Sequence, residues 1–168
     1  MCFMAKKDRI KKILVEQILD KADIPYESII FSHGMDRSTD ELEKYQINEH
    51  DIYKTLALQG NVTGPLIGIV PIDMHLSEKK LAAISGNKRT YMIPTKDLQK
   101  TTGYVHGANN PVGIWQTKKF PIYFDIRAQQ AGEIILSAGE VGRSIRVKAE
   151  DIAKFVHSEF VDIAVEDN

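Results

Sequence analysis

The 168-residue chain carries 22 Lys and Arg against 23 Asp and Glu, a net charge of −1, and 43% of its residues are hydrophobic. These values predict one soluble globular domain over residues 1–168 that needs no metal or disulfide to fold. They exclude a protein that binds nucleic acid mainly through indiscriminate phosphate contacts. Cys2 is the lone cysteine, which excludes an internal disulfide. The basic start and the lack of a long apolar run predict no signal peptide and no membrane span, hence a cytoplasmic protein.

The N-terminal quarter of the chain alternates helix and strand patterns. Apolar residues at helical spacing predict a helix over 7–22, which Pro25 prevents from continuing. A strand is predicted over 26–31. Ser38 followed by Glu41 is a capping-box pattern, which predicts a second, short helix.

The central part has stronger strand signals. Strands are predicted over 51–60 and 66–72, and the second of them, LIGIVPI, is apolar throughout, as in a strand buried on both faces. Ser77 is placed to cap a third helix that stops at Gly86, a residue type that favours helix C-termini. TYMIP, residues 90–94, predicts a further strand.

Strands and helices are mixed without regular alternation in the rest of the chain. Thr95 is placed to cap a short helix, and strands are predicted over 120–126, 133–139 and 143–149. A last helix is predicted over 149–157, followed by an acidic tail. This order favours an α+β fold, a single domain with one mixed sheet flanked by helices.

The passage KTTGYVHGANNPVGIWQTKK, residues 100–119, combines features that a surface loop seldom needs together. Glycines permit positive φ and close approach of the backbone, Pro111 fixes the path, and Tyr104 and Trp115 add flat apolar faces. Such a loop can direct several amide dipoles at one oxygen. The alternative is a plain connector between two strands.

Basic residues greatly outnumber Glu78 and Asp97 just before this passage. The cations of this stretch are Lys79, Lys80, Lys88, Arg89, Lys96 and Lys100. They indicate a face for an anionic partner, or else the solvated surface of a helix.

Common catalytic patterns are missing from the sequence. The five histidines lie at 33, 50, 75, 106 and 157, without the spacing of metal ligands, and the chain has no nucleophile elbow or P-loop. These patterns give little support for a metal site, and no nucleophilic side chain with its base is visible. Any catalysis would depend on backbone dipoles or on the substrate itself.

Lys54 lies within a strand pattern, YKTLAL, where a lysine is commonly a solvated residue. Lys54 is followed along the chain by a specific series of motifs: LIGIVPI, a basic helix, Thr102-Gly103-Tyr104, the G-x-x-x-P of 107–111 and SAGEVG at 137–142. In this order the chain resembles the bacterial Cys-tRNA(Pro) deacylases, the YbaK or EbsC proteins. It is also similar to the editing domain of bacterial prolyl-tRNA synthetases. The likeness runs from about Ile18 to the tail.

The resemblance implies a curved or barrel-like mixed sheet and a trans-editing enzyme. Its substrate would be mischarged tRNA, typically Cys-tRNA(Pro), whose aminoacyl ester is hydrolysed without a cofactor. Lys54 would bind the phosphate of the acceptor end, and amides of the Gly107 loop would hold the ribose and the ester carbonyl. The thiol of the substrate would attack its own ester. Further substrate-binding residues implied by the resemblance are Phe31, Gly103, Tyr104, Ala108, Asn109, Asn110, Pro111, Ala138, Gly139 and Ser144.

Some positions depart from the family pattern. Phe31 stands where members often have tyrosine, and Ala108 stands where a second glycine is common. Asn109 and Asn110 place two amide side chains at the loop tip. These changes preserve the ester-binding frame and leave the preference for cysteine open.

Two alternatives remain at this point. One is a deacylase for another small amino acid such as alanine, for which a bound water must attack. The other is a non-catalytic module that binds tRNA or a synthetase. The expected partners are the acceptor end of aminoacyl-tRNA and, in addition, prolyl-tRNA synthetase, with no membrane and no DNA.

Overall fold

A computed structural model describes residues 11–32 and 39–166 of the chain. The helices are α1 (Leu14–Lys21), α2 (Thr39–Lys44), α3 (Glu78–Ser85), α4 (Thr95–Thr102), α5 (Pro111–Lys118), α6 (Ile126–Ala131) and α7 (Ala149–Phe155). The strands are β1 (Tyr26–Ile30), β2 (Tyr53–Gly60), β3 (Gly64–Pro71), β4 (Met74–Leu76), β5 (Thr90–Met92), β6 (Ile122–Asp125), β7 (Glu133–Ser137), β8 (Arg143–Lys148), β9 (Glu159–Val161) and β10 (Ala164–Glu166). Among the described residues, no helix is both long and apolar enough to cross a bilayer.

The strands form three sheets. The largest has the order β5-β2-β3-β6-β9, in which β2 and β3 are a hairpin and β6 and β9 join in parallel. A second sheet has the antiparallel order β1-β8-β7, and β10 pairs with β4. The α+β prediction is confirmed. The curvature that the resemblance implies takes the form of separate sheets, which do not close into a barrel in the described part of the chain.

The main core lies between the two larger sheets and the helices. Strand β3 is buried on both faces, as its apolar sequence predicts: Ile67 and Ile69 join the main core, whereas Leu66 and Val70 pack in a second cluster with Leu81 of α3. A third, smaller cluster lies beside β1 and α2. Hydrophobic side chains on two sides of one strand fix that strand at the centre of the molecule.

Asp125 is a fully buried carboxylate at the end of β6. Its Oδ1 accepts hydrogen bonds from the amides of Ile163 and Ala164, at 3.0 and 2.8 Å. Its Oδ2 accepts the amide of Arg127, whose guanidinium pairs with it at 3.1 Å. This carboxylate therefore joins the C-terminal strands to the central sheet.

Several predicted boundaries are confirmed. Ser77 caps α3, since its side chain accepts the amide of Lys80, and Gly86 ends that helix with a φ of 79°. The two central strands agree with β2 and β3 within two residues. Ser38 and residues 7–10 of the predicted first helix lie outside the described residues, and the observed helix begins at Leu14.

Other expectations are wrong, and each has a local cause. Residues 111–118 are not loop: Pro111 occupies the first turn of α5, where its missing N–H costs nothing. The strand predicted over 120–126 ends at Asp125, which caps α6. Thr95 is not a cap, because the cap position is Pro94. The tail that begins at Val161, for which no element is predicted, contains β10.

Candidate active site

A cavity of about 470 Å³ lies over one edge of β2. Residues 52–57 line it consecutively, although only alternate residues of a strand share a face. The reason is the sheet pairing. Strand β3 covers the whole of one edge of β2, whereas β5 pairs only with Leu58–Gly60 on the other edge. Side chains from both faces of β2 therefore border the open half of that edge.

Lys54 is half-buried in this lining, at the position opposite Val70 of β3. No carboxylate among the described residues forms an ion pair with its ammonium group. A lysine at the rim of a cavity without a counterion is a point charge that an anionic ligand would satisfy. Its place in the lining favours a binding role over that of an ordinary solvated strand residue.

Thr55 follows Lys54 and also borders the cavity. It is 8% exposed, and its Oγ1 has no hydrogen-bond partner within the described structure. Its backbone carbonyl accepts a hydrogen bond from the side chain of Asn109, at 3.5 Å. A buried hydroxyl without a partner is costly, so Thr55 is a candidate for contact with a ligand.

The opposite wall is the loop that precedes α5. Gly107 has a φ of 85°, which favours glycine, and its carbonyl accepts a hydrogen bond from Ser137 Oγ at 2.8 Å. Asn109 is 6% exposed, and its Oδ1 accepts the hydroxyl of Thr102 at 2.8 Å. The loop is thus held at both ends. No acceptor in the described part of the chain pairs with the backbone N–H of Gly107, which remains available to a ligand.

Asn110 supports this wall from inside the protein. It is fully buried, and its Oδ1 caps α5 by accepting the amides of Val112 and Gly113 at 2.7 and 3.1 Å. Its Nδ2 donates to the carbonyl of Ser137 at 2.8 Å. One amide side chain therefore joins the loop, the helix and β7.

Tyr104 packs behind the loop, between two glycines. A Cβ atom at Gly113 would overlap its hydroxyl, and one at Gly139 would lie 3.1 Å from its ring. Burial raises the pKa of the Tyr104 hydroxyl. The ring therefore acts as a neutral wedge between α5 and the turn after β7.

The structure brings five of the predicted site residues to the cavity wall: Phe31, Lys54, Gly107, Asn109 and Ser144. It places the other seven behind that wall or beside it: Gly103, Tyr104, Ala108, Asn110, Pro111, Ala138 and Gly139. Ala108 and Ala138 are almost completely buried. The turn 137–142 reaches the cavity through Ser137 and Gly142.

Sequence reasoning missed several polar residues of the wall, among them Thr55, His106 and Ser137. Thr55 stands beside the lysine that drew attention to the strand. Ser137 is the first residue of the SAGEVG motif, and His106 was weighed only as a metal ligand. Each lies within a motif already singled out. The motifs therefore predict which segments form the wall, but they do not predict which of their residues face the cavity.

Comparisons with known proteins identify the class. Residues 32–155 match the family model of the aminoacyl-tRNA editing domain. The chain belongs to this family, and the prediction of an aminoacyl-tRNA editing deacylase is confirmed at the level of the family.

Individual relatives are consistent with this assignment. The chain is 36% identical over 166 residues, 98% of its length and 100% of the relative's, to an Enterococcus faecalis protein provisionally named Cys-tRNA(Pro)/Cys-tRNA(Cys) deacylase EbsC. Its fold is similar to the crystal structure of a candidate trans-editing enzyme for prolyl-tRNA synthetase, with a TM-score of 0.74, 16% identity, and 92% and 95% of the two chains covered. A hypothetical protein of known structure has a TM-score of 0.79 at 15% identity, with coverage of 90% and 99%.

Proposed function

We propose that this protein hydrolyses the aminoacyl ester of Cys-tRNA(Pro) as a free-standing editing enzyme. The observation that carries the proposal is the pairing across one cavity of an ammonium without a counterion, Lys54, and a backbone amide without an acceptor, that of Gly107. Family membership supports the same chemistry. Because it would act on charged tRNA, we expect it to work in the cytoplasm, with prolyl-tRNA synthetase as a further partner.

In this proposal the strand wall contributes mainly to binding and the loop wall mainly to catalysis. Lys54 would bind the phosphate that precedes the terminal adenosine, since a compact ammonium suits such a group. The Gly107 N–H would donate to the ester carbonyl oxygen as negative charge develops on it, a contact worth roughly 3–4 kcal/mol in comparable sites. Phe31, Asn109 and Ser144 would bound the space for the amino acid and the ribose. The other predicted residues would hold these groups in position.

The substrate supplies the nucleophile. Its thiol sulfur attacks the carbonyl carbon of its own ester, a C–S bond forms, and the bond from that carbon to the ribose oxygen breaks. The thiol proton is transferred to the departing ribose oxygen. The cyclic thioester is then hydrolysed by water. This route requires an oriented ester and no nucleophilic side chain.

A panel of charged tRNAs tests the proposal. We expect purified protein to discharge Cys-tRNA(Pro) much faster than Ala-tRNA(Pro) and Pro-tRNA(Pro). Blocking the thiol of the cysteine should abolish the discharge. Fast discharge of the blocked substrate, or of the alanyl ester, would contradict the cyclisation and favour attack by water. Discharge of none of them, with tRNA binding retained, would favour a non-catalytic module.

A further inference from the structure

The basic residues that precede the Gly-rich passage differ in their surroundings once the chain is folded. Lys80 pairs with Asp162 at 3.1 Å, and Lys100 pairs with Asp97 at 2.9 Å. Lys88 and Arg89 are exposed, and neither side chain has an ion pair with any residue that the structure describes. Two adjacent cations therefore remain available on the turn that enters β5.

This turn is held firmly to the tip of the β2–β3 hairpin. Asn61 Oδ1 accepts the amides of Lys88 and Arg89 at 2.8 and 2.9 Å, and the Asn61 amide donates to the Arg89 carbonyl. The preceding residue, Asn87, is 7% exposed and accepts the amides of Val62 and Thr63. The backbone that carries the two cations is thus fixed relative to the sheet.

Strand β5 leads from these cations to the cavity. Tyr91 is 55% exposed on this strand, and Met92 and the three residues after it line the cavity. From Arg89 to Met92 a strand covers about 10 Å. Along the sequence, a cationic turn is thus followed by an exposed aromatic residue and then by residues of the cavity lining.

Two neighbouring carboxylates, those of Glu78 and Asp97, each have a hydrogen-bond partner within the protein. Glu78 accepts the amide of Met92 at 3.0 Å, and Asp97 is paired with Lys100. Exposed aromatic rings beside cations are the features with which proteins hold single-stranded nucleic acid, the rings for bases and the cations for phosphates. An acidic protein partner would use the cations but would not explain an aromatic ring on the path to the cavity.

We infer that Lys88, Arg89 and Tyr91 form a track for the single-stranded 3′ end of RNA, which guides the nucleotides before the terminal adenosine into the cavity. Lys88 and Arg89 bind phosphates, and Tyr91 stacks on a base. The inference rests on the proposed function and adds a second contact site to it. The track binds without regard to the amino acid, so it contributes to affinity and not to the chemical step.

Removal of both cations tests the phosphate contacts. The probe is a hairpin RNA ending in CCA, free for binding and cysteinylated for discharge. Lys88→Ala/Arg89→Ala should raise KM about tenfold at low salt with kcat unchanged, and the slope of log affinity against log salt should fall by about 1.4. The control Lys21→Ala/Lys154→Ala removes the same charge from exposed positions on α1 and α7, and it should change neither value.

Removal of the ring tests stacking separately. Tyr91→Ala should weaken binding of the free hairpin about tenfold, whereas Tyr91→Phe should bind as the wild type does. The salt slope should stay unchanged in both, because no charge is removed. A blunt-ended duplex that lacks the single-stranded CCA should bind all variants equally.

The outcomes separate this inference from the proposed function. Wild-type protein that discharges the hairpin, together with unchanged KM and hairpin affinity in the cation and Tyr91 variants, overturns the track alone. Variants that bind the hairpin normally but lose affinity for prolyl-tRNA synthetase also overturn it, since the surface then serves a protein. If the wild type discharges nothing, the proposed function fails, and weaker hairpin binding by the variants would still support the track.

Discussion

The two walls of the cavity differ in whether their polar side chains have partners within the protein. In the loop wall, Asn109 and Asn110 are held by hydrogen bonds within the protein. In the strand wall, the Lys54 ammonium has no ion pair and the Thr55 hydroxyl has no partner among the described residues. The polar side chains of the loop wall are therefore satisfied without a ligand, and its Gly107 N–H remains to be paired within the described structure, whereas the strand wall has polar side chains that a ligand would satisfy. Substitution of the asparagines should mainly change stability, and substitution of Lys54 or Thr55 should mainly change activity.

The largest effect is expected at Asn110. Asn110→Ala removes the cap of α5 and leaves the Ser137 carbonyl without its donor, which should lower the free energy of unfolding by roughly 2–4 kcal/mol. Urea denaturation measures the change. Asn110→Ser keeps an oxygen for the cap and should lose about half as much. A loss below about 0.5 kcal/mol for Asn110→Ala would place it among ordinary surface changes and contradict its structural role.

Lys54 should show the reverse behaviour. Lys54→Met keeps an apolar stem but removes the charge, and we expect kcat/KM for Cys-tRNA(Pro) to fall about 100-fold, roughly 2.7 kcal/mol of transition-state binding. The free energy of unfolding should stay within about 0.5 kcal/mol of the wild type. Lys21→Met, on α1, is the matched control for the loss of one charge. Unchanged discharge by the Lys54 variant would contradict a role for Lys54 in substrate binding.

Thr55→Val is a finer test of the strand wall. The substitution replaces an unpartnered buried hydroxyl with a methyl group of similar size, so stability should stay the same or rise by up to about 1 kcal/mol. Discharge should slow by about tenfold if the hydroxyl contacts the substrate. Thr102→Val is the matched control in the loop wall, because its hydroxyl is already bonded to Asn109 and its loss should be destabilising. Loss of stability in both Thr55→Val and Thr102→Val would contradict the difference between the two walls.

The smallest effect concerns pH. Burial, followed by the charge of Asp125, raises the pKa of Tyr53 well above its usual value near 10. The folded protein therefore keeps a proton that the unfolded chain loses, so this contribution to stability is complete below about pH 10 and falls as pH rises beyond it. Tyr53→Phe should lose less stability than the wild type between pH 9.5 and about pH 11, as thermal unfolding would show. Parallel curves for the two proteins would contradict the shift.

Sequence patterns predict the central part of the fold well because they act locally. The apolar run of β3 and the cap and stop of α3 need only a few neighbouring residues to specify them. The helix α5 was missed because Gly113 and Pro111 are typical of loops. Pro111 in fact suits the first turn of a helix. Gly113 is required because the hydroxyl of Tyr104, nine residues earlier in the sequence, occupies the place of a Cβ atom, and only the tertiary fold sets that contact.

The site was predictable to the level of its motifs. Lys54, Gly107 and the 137–142 turn do meet around one cavity. Which side chains face that cavity depends on sheet pairing and helix capping, neither of which a motif specifies. The sequence shows two asparagines at the loop tip and does not distinguish which of them would contact a substrate. The fold places Asn110 inside as a cap and leaves Asn109 in the lining.

The buried carboxylate of Asp125 makes the end of the chain part of the folding unit. Its oxygen atoms depend on amides of Ile163 and Ala164, more than thirty residues further along the sequence. A shortened protein without those two donors would leave a buried carboxylate with Arg127 as its partner, and this loss should destabilise the domain and not merely its last strand. This sheet is therefore expected to become stable only after residues 163 and 164 have left the ribosome, and not when residues 53–125 alone have emerged.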